Sequence, residues 1–321
     1  MAHRIGILGL GIMGERMLRN MRDHPAFTVA AAWDPSGAAL DKLAHLMPTA
    51  RAVSDAAALV ADPAIDCVYI AAPPASHLGH ANVAFDHGKA VFCEKPLATD
   101  LGAARAAVER VERERRTAGI NFPYASAPAV RAIASGIKSG ELGPIELVEI
   151  EVAFARWPRA WQEGAQWLAL RREGGFVREV LSHFVFLIQR LFGALRLRAA
   201  HVEYPGDGRS AETAITARLE AGAVPVTLSG RVGGDAPDFN RCVIHGSNGG
   251  FELHDWYSLR RRINGSWLDI DFGEDATDRE RSYRAQLDAL DAMLAGRPHG
   301  LASFREGLAV QTCIEAMLSG K

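Results

Sequence analysis

Cysteine, lysine and long apolar runs are what this chain has least of. It holds four cysteines in 321 residues. Cys67, Cys93, Cys242 and Cys313 are scattered without the spacing of a zinc site, and three of them sit among apolar residues. They read as buried free thiols in a reducing compartment, and no metal site is expected. No apolar run reaches the ~20 residues that span a bilayer. The start, Met1-Ala2-His3-Arg4, runs directly into Ile5-Gly6-Ile7-Leu8 without a signal-peptide pattern. The expectation is a cytoplasmic protein with no membrane partner. Excess charge is also missing. With Lys+Arg 36, Asp+Glu 38 and a net charge of −2, the electrostatic case for a nucleic-acid partner disappears. Lysine itself is rare: Lys42, Lys89, Lys95, Lys138 and Lys321 are all there are, and every other basic residue among the Lys and Arg is arginine.

What is present is an ordinary globular composition, 48% hydrophobic and 23% charged. The length suits about two domains of roughly 150 residues. Apolar runs at 4–9, 27–33, 66–71 and 90–93 read as buried strands, closed by 119–121. Helical text lies between them at 12–22, 36–45, 76–87 and 99–117. Strands alternating with helices imply a parallel sheet with right-handed crossovers. After residue 122 the pattern changes. A helix near 126–139 leads into Ile145-Glu146-Leu147-Val148-Glu149-Ile150-Glu151-Val152, where apolar and charged residues alternate as in a strand with one wet face. Helical text from 162 to 191 is followed by strands near 199–204, 211–220, 224–232, 239–245, 249–254 and 257–263. Helices at 281–295 and 303–318 end the chain. The expected fold is α/β: a Rossmann domain with a doubly wound parallel sheet at 1–122, then an α/β domain with a mostly antiparallel open sheet at 123–321. The half-wet sheet invites pairing, so a homodimer or homotetramer is expected.

Gly9-Leu10-Gly11-Ile12-Met13-Gly14 follows a strand and opens a helix. In that setting the first glycine permits a tight turn. The second admits a pyrophosphate, and the third lets helix and strand pack. The helix start at Ile12 and Met13 offers free N–H groups to phosphate oxygens. Asp34 stands at the end of the second strand, where a carboxylate accepts hydrogen bonds from a ribose diol and repels a 2′-phosphate. Pro35 and Ser36 supply no arginine to hold such a phosphate, so NAD is expected before NADP. Lys95 lies just past the carboxyl end of Ala90-Val91-Phe92-Cys93. That edge is where open α/β sheets bind ligands, and an amine there can exchange a proton with a reacting oxygen.

Gly88-Lys89-Ala90-Val91-Phe92-Cys93-Glu94-Lys95-Pro96-Leu97 resembles the Glu-Lys-Pro signature of the glucose–fructose oxidoreductase / inositol dehydrogenase (Gfo/Idh/MocA) family. Ala72-Pro73-Pro74-Ala75-Ser76-His77 resembles the loop that precedes it. The resemblance implies reversible alcohol–carbonyl oxidation, often of sugars or polyols. It places Pro73, His77, Glu94 and Lys95 near the cofactor. It also implies that Glu173-Gly174-Gly175 introduces a helix bearing an acid and a histidine four residues apart, here Glu179 and His183. That spacing puts both on one helix face. Glu179 stands where aspartate is usual, Leu181 where glycine is usual, and Asn121-Phe122-Pro123-Tyr124 lacks an arginine common in relatives. Lys95, His183 and Glu179 are the expected catalytic residues, acting on a small-molecule substrate. Competing functions on the same frame are reduction or oxidation of a non-sugar carbonyl, an imine or a dihydrodiol, or non-catalytic nucleotide sensing. Arg156, Trp157, Arg159, Trp161, Trp167, Arg171 and Arg172 read as aromatic packing with solvated arginines in preference to a wall for an acidic substrate.

Overall fold

The computed structural model describes residues 2–235, 237–273 and 276–320. Strands β1 (His3–Leu8), β2 (Phe27–Trp33), β3 (Arg51–Ala52), β4 (Cys67–Ile70), β5 (Ala90–Glu94) and β6 (Ala118–Asn121) form one sheet. Its order is β3-β2-β1-β4-β5-β6, and every pair is parallel. This is the doubly wound order, with its reversal between β1 and β4. Helices α1 (Ile12–Arg22), α2 (Gly37–Leu46), α3 (Ala56–Ala61), α4 (His77–Asp86) and α5 (Leu101–Arg113) connect the strands. Ile5, Ile7, Val68, Ile70, Val91 and Phe92 are fully buried, as the unbroken apolar runs of a sheet covered on both faces require. The short pair β3 and α3 lacks a long apolar stretch, and the sequence gives little sign of it. Asp55 and Asp100 start α3 and α5 by accepting the N–H groups of Ala58 at 2.7 Å and Ala103 at 2.6 Å.

After α6 (Pro128–Ser139), the second sheet holds β7 (Ile145–Phe154), β8 (Leu195–Glu203), β9 (Ala214–Ala221), β10 (Val224–Val232), β11 (Phe239–Gly246), β12 (Gly249–His254), β13 (Ser258–Ile263) and β14 (Ser266–Ile270). The order is β14-β13-β12-β11-β7-β10-β9-β8. Only the β7–β10 pair is parallel. The alternation in β7 is resolved as expected: Val148, Ile150 and Val152 are buried. Glu149 and Glu151 face His245 and Arg241 of β11, each pair at 2.6 Å. β14 was not expected, and it makes β13 an interior strand.

The helix expected over 162–191 forms only in its second half. Two short 3₁₀ turns, Ala160–Gln162 and Gln166–Ala169, come first. Helical structure begins with a π turn at Val177–Leu181 and continues as α7 (Ser182–Phe192). The Gly174-Gly175 pair breaks the run. Arg159, 8% exposed, lies over the rings of Phe154, Trp157, Trp161 and Trp256, so the aromatic packing is present but this arginine, expected to be solvated, is buried within it.

The chain divides into two compact units: Met1–Phe122 with Arg284–Leu308, and Pro123–Tyr283 with Ala309–Lys321. The chain thus leaves the first unit at residue 122, but residues 284–308, assigned by the sequence to the second half, pack with the first. Helix α8 (Asp278–Leu294) carries the chain back and α9 (Phe304–Ser319) carries it out. The reason is apolar contact at the β6 edge. Ile120 donates its N–H to Ala302 at 2.8 Å. Bare Gly119 admits the Leu301 and Met293 side chains, and the Phe304 ring lies 6.1 Å from that of Phe85. Among the described residues no helix is long and apolar enough to cross a membrane.

Candidate active site

At the switch point of the first sheet, Gly9 has φ +95°, which L side chains rarely adopt. A Cβ there would also lie 2.6 Å from the Ala71 carbonyl oxygen, at the end of β4. A Cβ on Gly14 would fall on the carbonyl of Gly9, whereas one on Gly11 would meet nothing within 4 Å. Turn, packing and open approach are therefore divided among the three glycines in the way a pyrophosphate cradle needs. Gly11 is exposed, and Ile12 and Met13 are half-buried at the start of α1. No side chain caps that start, which leaves its N–H groups to an anion. Asp34 is half-buried. Its carboxylate accepts the Leu10 N–H at 2.7 Å and the Ser36 N–H at 2.8 Å, which holds the acid beside the loop. These residues fit a dinucleotide.

On the far side of the switch point, Lys95 follows β5 and is 8% exposed; its bond to Pro96 is cis. Glu94, 5% exposed, is drawn into a buried network. Its Oε1 accepts the Tyr69 hydroxyl and, at 2.6 Å, the Asn121 side-chain amide. Gln286 donates in turn to the Asn121 Oδ1 at 3.2 Å. Glu94 thus anchors the end of β5, next to Lys95 in the chain, to the neighbouring strands β4 and β6. His77 is 1% exposed, and its ring nitrogens lie 2.8 Å from the carbonyl oxygens of Ala72 and Pro96. Burial outweighs those two contacts and pulls its pKa from 6.5 to about 4. His77 thus ties the Pro73 loop to the Glu94-Lys95-Pro96 loop, while Pro73 itself is exposed.

The other expected site residues belong to the second unit. Glu179 lies in the π turn and His183 in the first turn of α7, a widening often found at functional sites. Both are half-buried, while Val180, Leu181, Ser182 and Phe184 around them are buried. Leu181, in place of a glycine, is fully buried and so is a packing residue. The His183 ring lies 5.9 Å from the Tyr124 ring and 5.9 Å from the Trp256 ring, edge-on to each. Tyr124 is 1% exposed, and burial pushes its pKa well above the ordinary value, so it stays a neutral phenol. Trp256 has φ +74°, an uncommon conformation for a bulky residue. Its N–H reaches the Asn240 side chain at 2.9 Å. Sequence reasoning missed Tyr69 and Gln286 in the Glu94 network of the first unit and Trp256 beside His183 in the second, none of which carries a motif. Burial raises Cys67, Cys242 and Cys313 to about 12, so these are inert thiols. Among the described residues no three His, Cys, Asp or Glu side chains gather as a metal site.

Fold and loop together define a dinucleotide-binding α/β protein. The model of an oxidoreductase family with an NAD-binding Rossmann fold matches residues 3–122, and the Gfo/Idh/MocA C-terminal domain matches residues 130–252. The chain belongs to the Gfo/Idh/MocA oxidoreductase family, and NAD is the cofactor of its Rossmann domain. An inositol 2-dehydrogenase of Rhodococcus jostii is 34% identical over 33% of this chain and 30% of its own length. The matched stretch therefore spans about a third of that curated relative. The oxidoreductase YrbE of Bacillus subtilis is 23% identical over 92% of this chain and 79% of its own. The fold is that of an Agrobacterium radiobacter oxidoreductase crystallised with NAD+, L-tartaric acid and magnesium. That similarity has a TM-score of 0.86 at 17% identity, covering 100% of this chain and 96% of the other.

Proposed function

We propose that this protein is an NAD-dependent dehydrogenase or reductase acting on the CH–OH group of a small sugar or polyol. One observation carries the reading: Lys95, 8% exposed, stands at the carboxyl end of β5 in the same parallel sheet whose β1 end bears the glycine cradle. The inositol 2-dehydrogenase relatives support a polyol as substrate.

NAD, when bound, would supply the hydride acceptor or donor. The loop of Gly9, Gly11 and Gly14 would seat its pyrophosphate, and the Asp34 carboxylate would accept hydrogen bonds from its ribose hydroxyls. Lys95 donates a hydrogen bond to the reacting oxygen and polarises it. His183 takes the hydroxyl proton during oxidation and returns it during reduction, its ring held edge-on by Tyr124 and Trp256. Glu179 accepts hydrogen bonds from neighbouring substrate hydroxyls. His77 and Glu94 act through the Lys95 loop, one from its Pro96 carbonyl and one from its own side-chain network.

The four buried free thiols support a reducing, cytoplasmic setting. The polar outer face of the second sheet supports pairing into a homodimer or homotetramer. The test is a panel of polyols, sugars and hydroxy acids with NAD+, read by absorbance of the reduced nicotinamide. Turnover of a polyol or sugar that is abolished by Lys95→Ala supports the reading. Cofactor binding with no turnover on any member of the panel overturns it.

A further inference from the structure

Outside the residues assigned above, one buried acid stands out. Glu212 is 2% exposed. Its Oε1 accepts the Val177 N–H at 2.8 Å, while its Oε2 is buried with no hydrogen-bond partner among the described residues. A half-satisfied buried carboxylate is costly, so its setting calls for a reason. The carboxylate lies flat on Gly175: a Cβ at that position, where φ is +98°, would collide with both of its oxygens. The Gly175 carbonyl in turn accepts the Glu179 N–H at 3.1 Å. Glu212 therefore puts an anion at the start of the helical segment that carries Glu179 and, one turn on, His183. That is the end where unpaired N–H groups and the helix dipole favour negative charge.

The opposite side of the same turn is clamped as well. Arg178 forms a two-pronged pair with Glu315 at 2.7 and 2.8 Å, and donates to the carbonyls of Arg171 and Gly174, each at 2.9 Å. Burial, with a smaller push from the Glu315 charge, raises the Glu212 pKa above the ordinary value, while the Val177 N–H, its own backbone N–H and Arg178 favour the ionised form. Gly175 thus gives this carboxylate its seat, while the bare Gly174 admits the carbonyls of Trp167 and Leu168.

We propose that Glu212 is a positioning residue of the active site, setting the start of the Val177–Phe192 segment and through it the place of the Glu179 carboxylate and the His183 imidazole. The proposal rests on the catalytic reading of His183 given above, but its test does not need a substrate. The His183 ring lies between the Tyr124 and Trp256 rings, so its NMR signals report any displacement through ring currents. Imidazole ¹H–¹⁵N spectra are recorded across pH for wild type, Glu212→Gln and Glu212→Ala, with His183→Ala assigning the resonance. NADH titration of each variant checks that the first unit is intact.

Glu212→Gln keeps an acceptor for Val177 and nearly the same volume, whereas Glu212→Ala removes both. The expected result is a His183 titration moved by about half a pH unit or more in Glu212→Ala, and by less in Glu212→Gln, with NADH affinity unchanged. On a substrate found by the panel, kcat falls about tenfold to a hundredfold in Glu212→Ala, with little change in KM for NAD. A lowered melting temperature with His183 signals and titration unchanged overturns the proposal and leaves Glu212 a structural residue. Full turnover in His183→Ala sinks the catalytic reading instead, while the spectra still decide whether Glu212 sets the ring.

Discussion

The Asp34 carboxylate accepts the Leu10 N–H at 2.7 Å, so the acid at the end of β2 also holds the glycine loop. Its removal acts twice, on a ribose partner and on the loop. Asp34→Ala is expected to raise KM for NAD by roughly ten- to a hundredfold, the worth of a hydrogen bond to a charged group, and to narrow the preference over NADP. Steady-state kinetics with both cofactors check this, and an unchanged preference contradicts the role given to Asp34.

Gly14→Ala places a methyl group on the backbone carbonyl of Gly9. Neither partner is a flexible side chain, so the loop has to open. The expected outcome is loss of NADH binding in a protein whose second unit is intact, measured by fluorescence titration and circular dichroism. Wild-type affinity contradicts the packing described here.

Lys95→Ala and His183→Ala should each lower kcat by roughly 10²–10⁴-fold, the usual size of a positioned acid–base group. NADH affinity should be retained, and the measurement is turnover against binding in the same preparation. Near-normal turnover in either variant removes that residue from the mechanism.

His77 makes stability depend on pH. Its pKa is about 4 when folded, against 6.5 as the ordinary value. Between these values the unfolded chain binds a proton that the buried ring refuses. Stability is therefore complete above about pH 6.5 and declines as pH falls toward about 4. His77→Gln should melt lower than wild type near neutrality, yet lose less stability on going to about pH 5. Parallel slopes for the two proteins rule this out.

If copies pair through the open face of the second sheet, Glu151→Arg is disruptive. It replaces the partner of Arg241 with a like charge in the middle of that face. Light scattering should show wild type as a dimer or tetramer and the variant shifted toward monomer. A monomeric wild type ends the proposal.

Much of this site is legible along the chain because its signals are local. Gly9, Gly11 and Gly14 show in the sequence because each answers a backbone demand within one turn. Lys95 shows because an apolar strand ends just before it. The partners of His77 and Glu94 are not legible in this way: the carbonyls of Ala72 and Pro96 for one, Tyr69 and Asn121 for the other. Burial turns both inward, and burial depends on what other segments bring. The first half of the helix expected over 162–191 fails for a related reason: the residues before Gly174 fold as short turns, and the neighbouring Arg159 cation lies among four aromatic rings.

The sequence by itself determined the two kinds of sheet, through unbroken apolar strands in one half and alternating strands in the other, together with the glycine loop after β1. Periodicity and turn chemistry act over a few residues, so they can be read without the fold. Only the tertiary structure decided that residues 284–308 return to the first unit, that Tyr124 and Trp256 flank His183, and that Glu212 lies on Gly175. Those relations join segments dozens to hundreds of residues apart. They exist because shape and burial are settled by whichever surfaces meet, which no local pattern encodes.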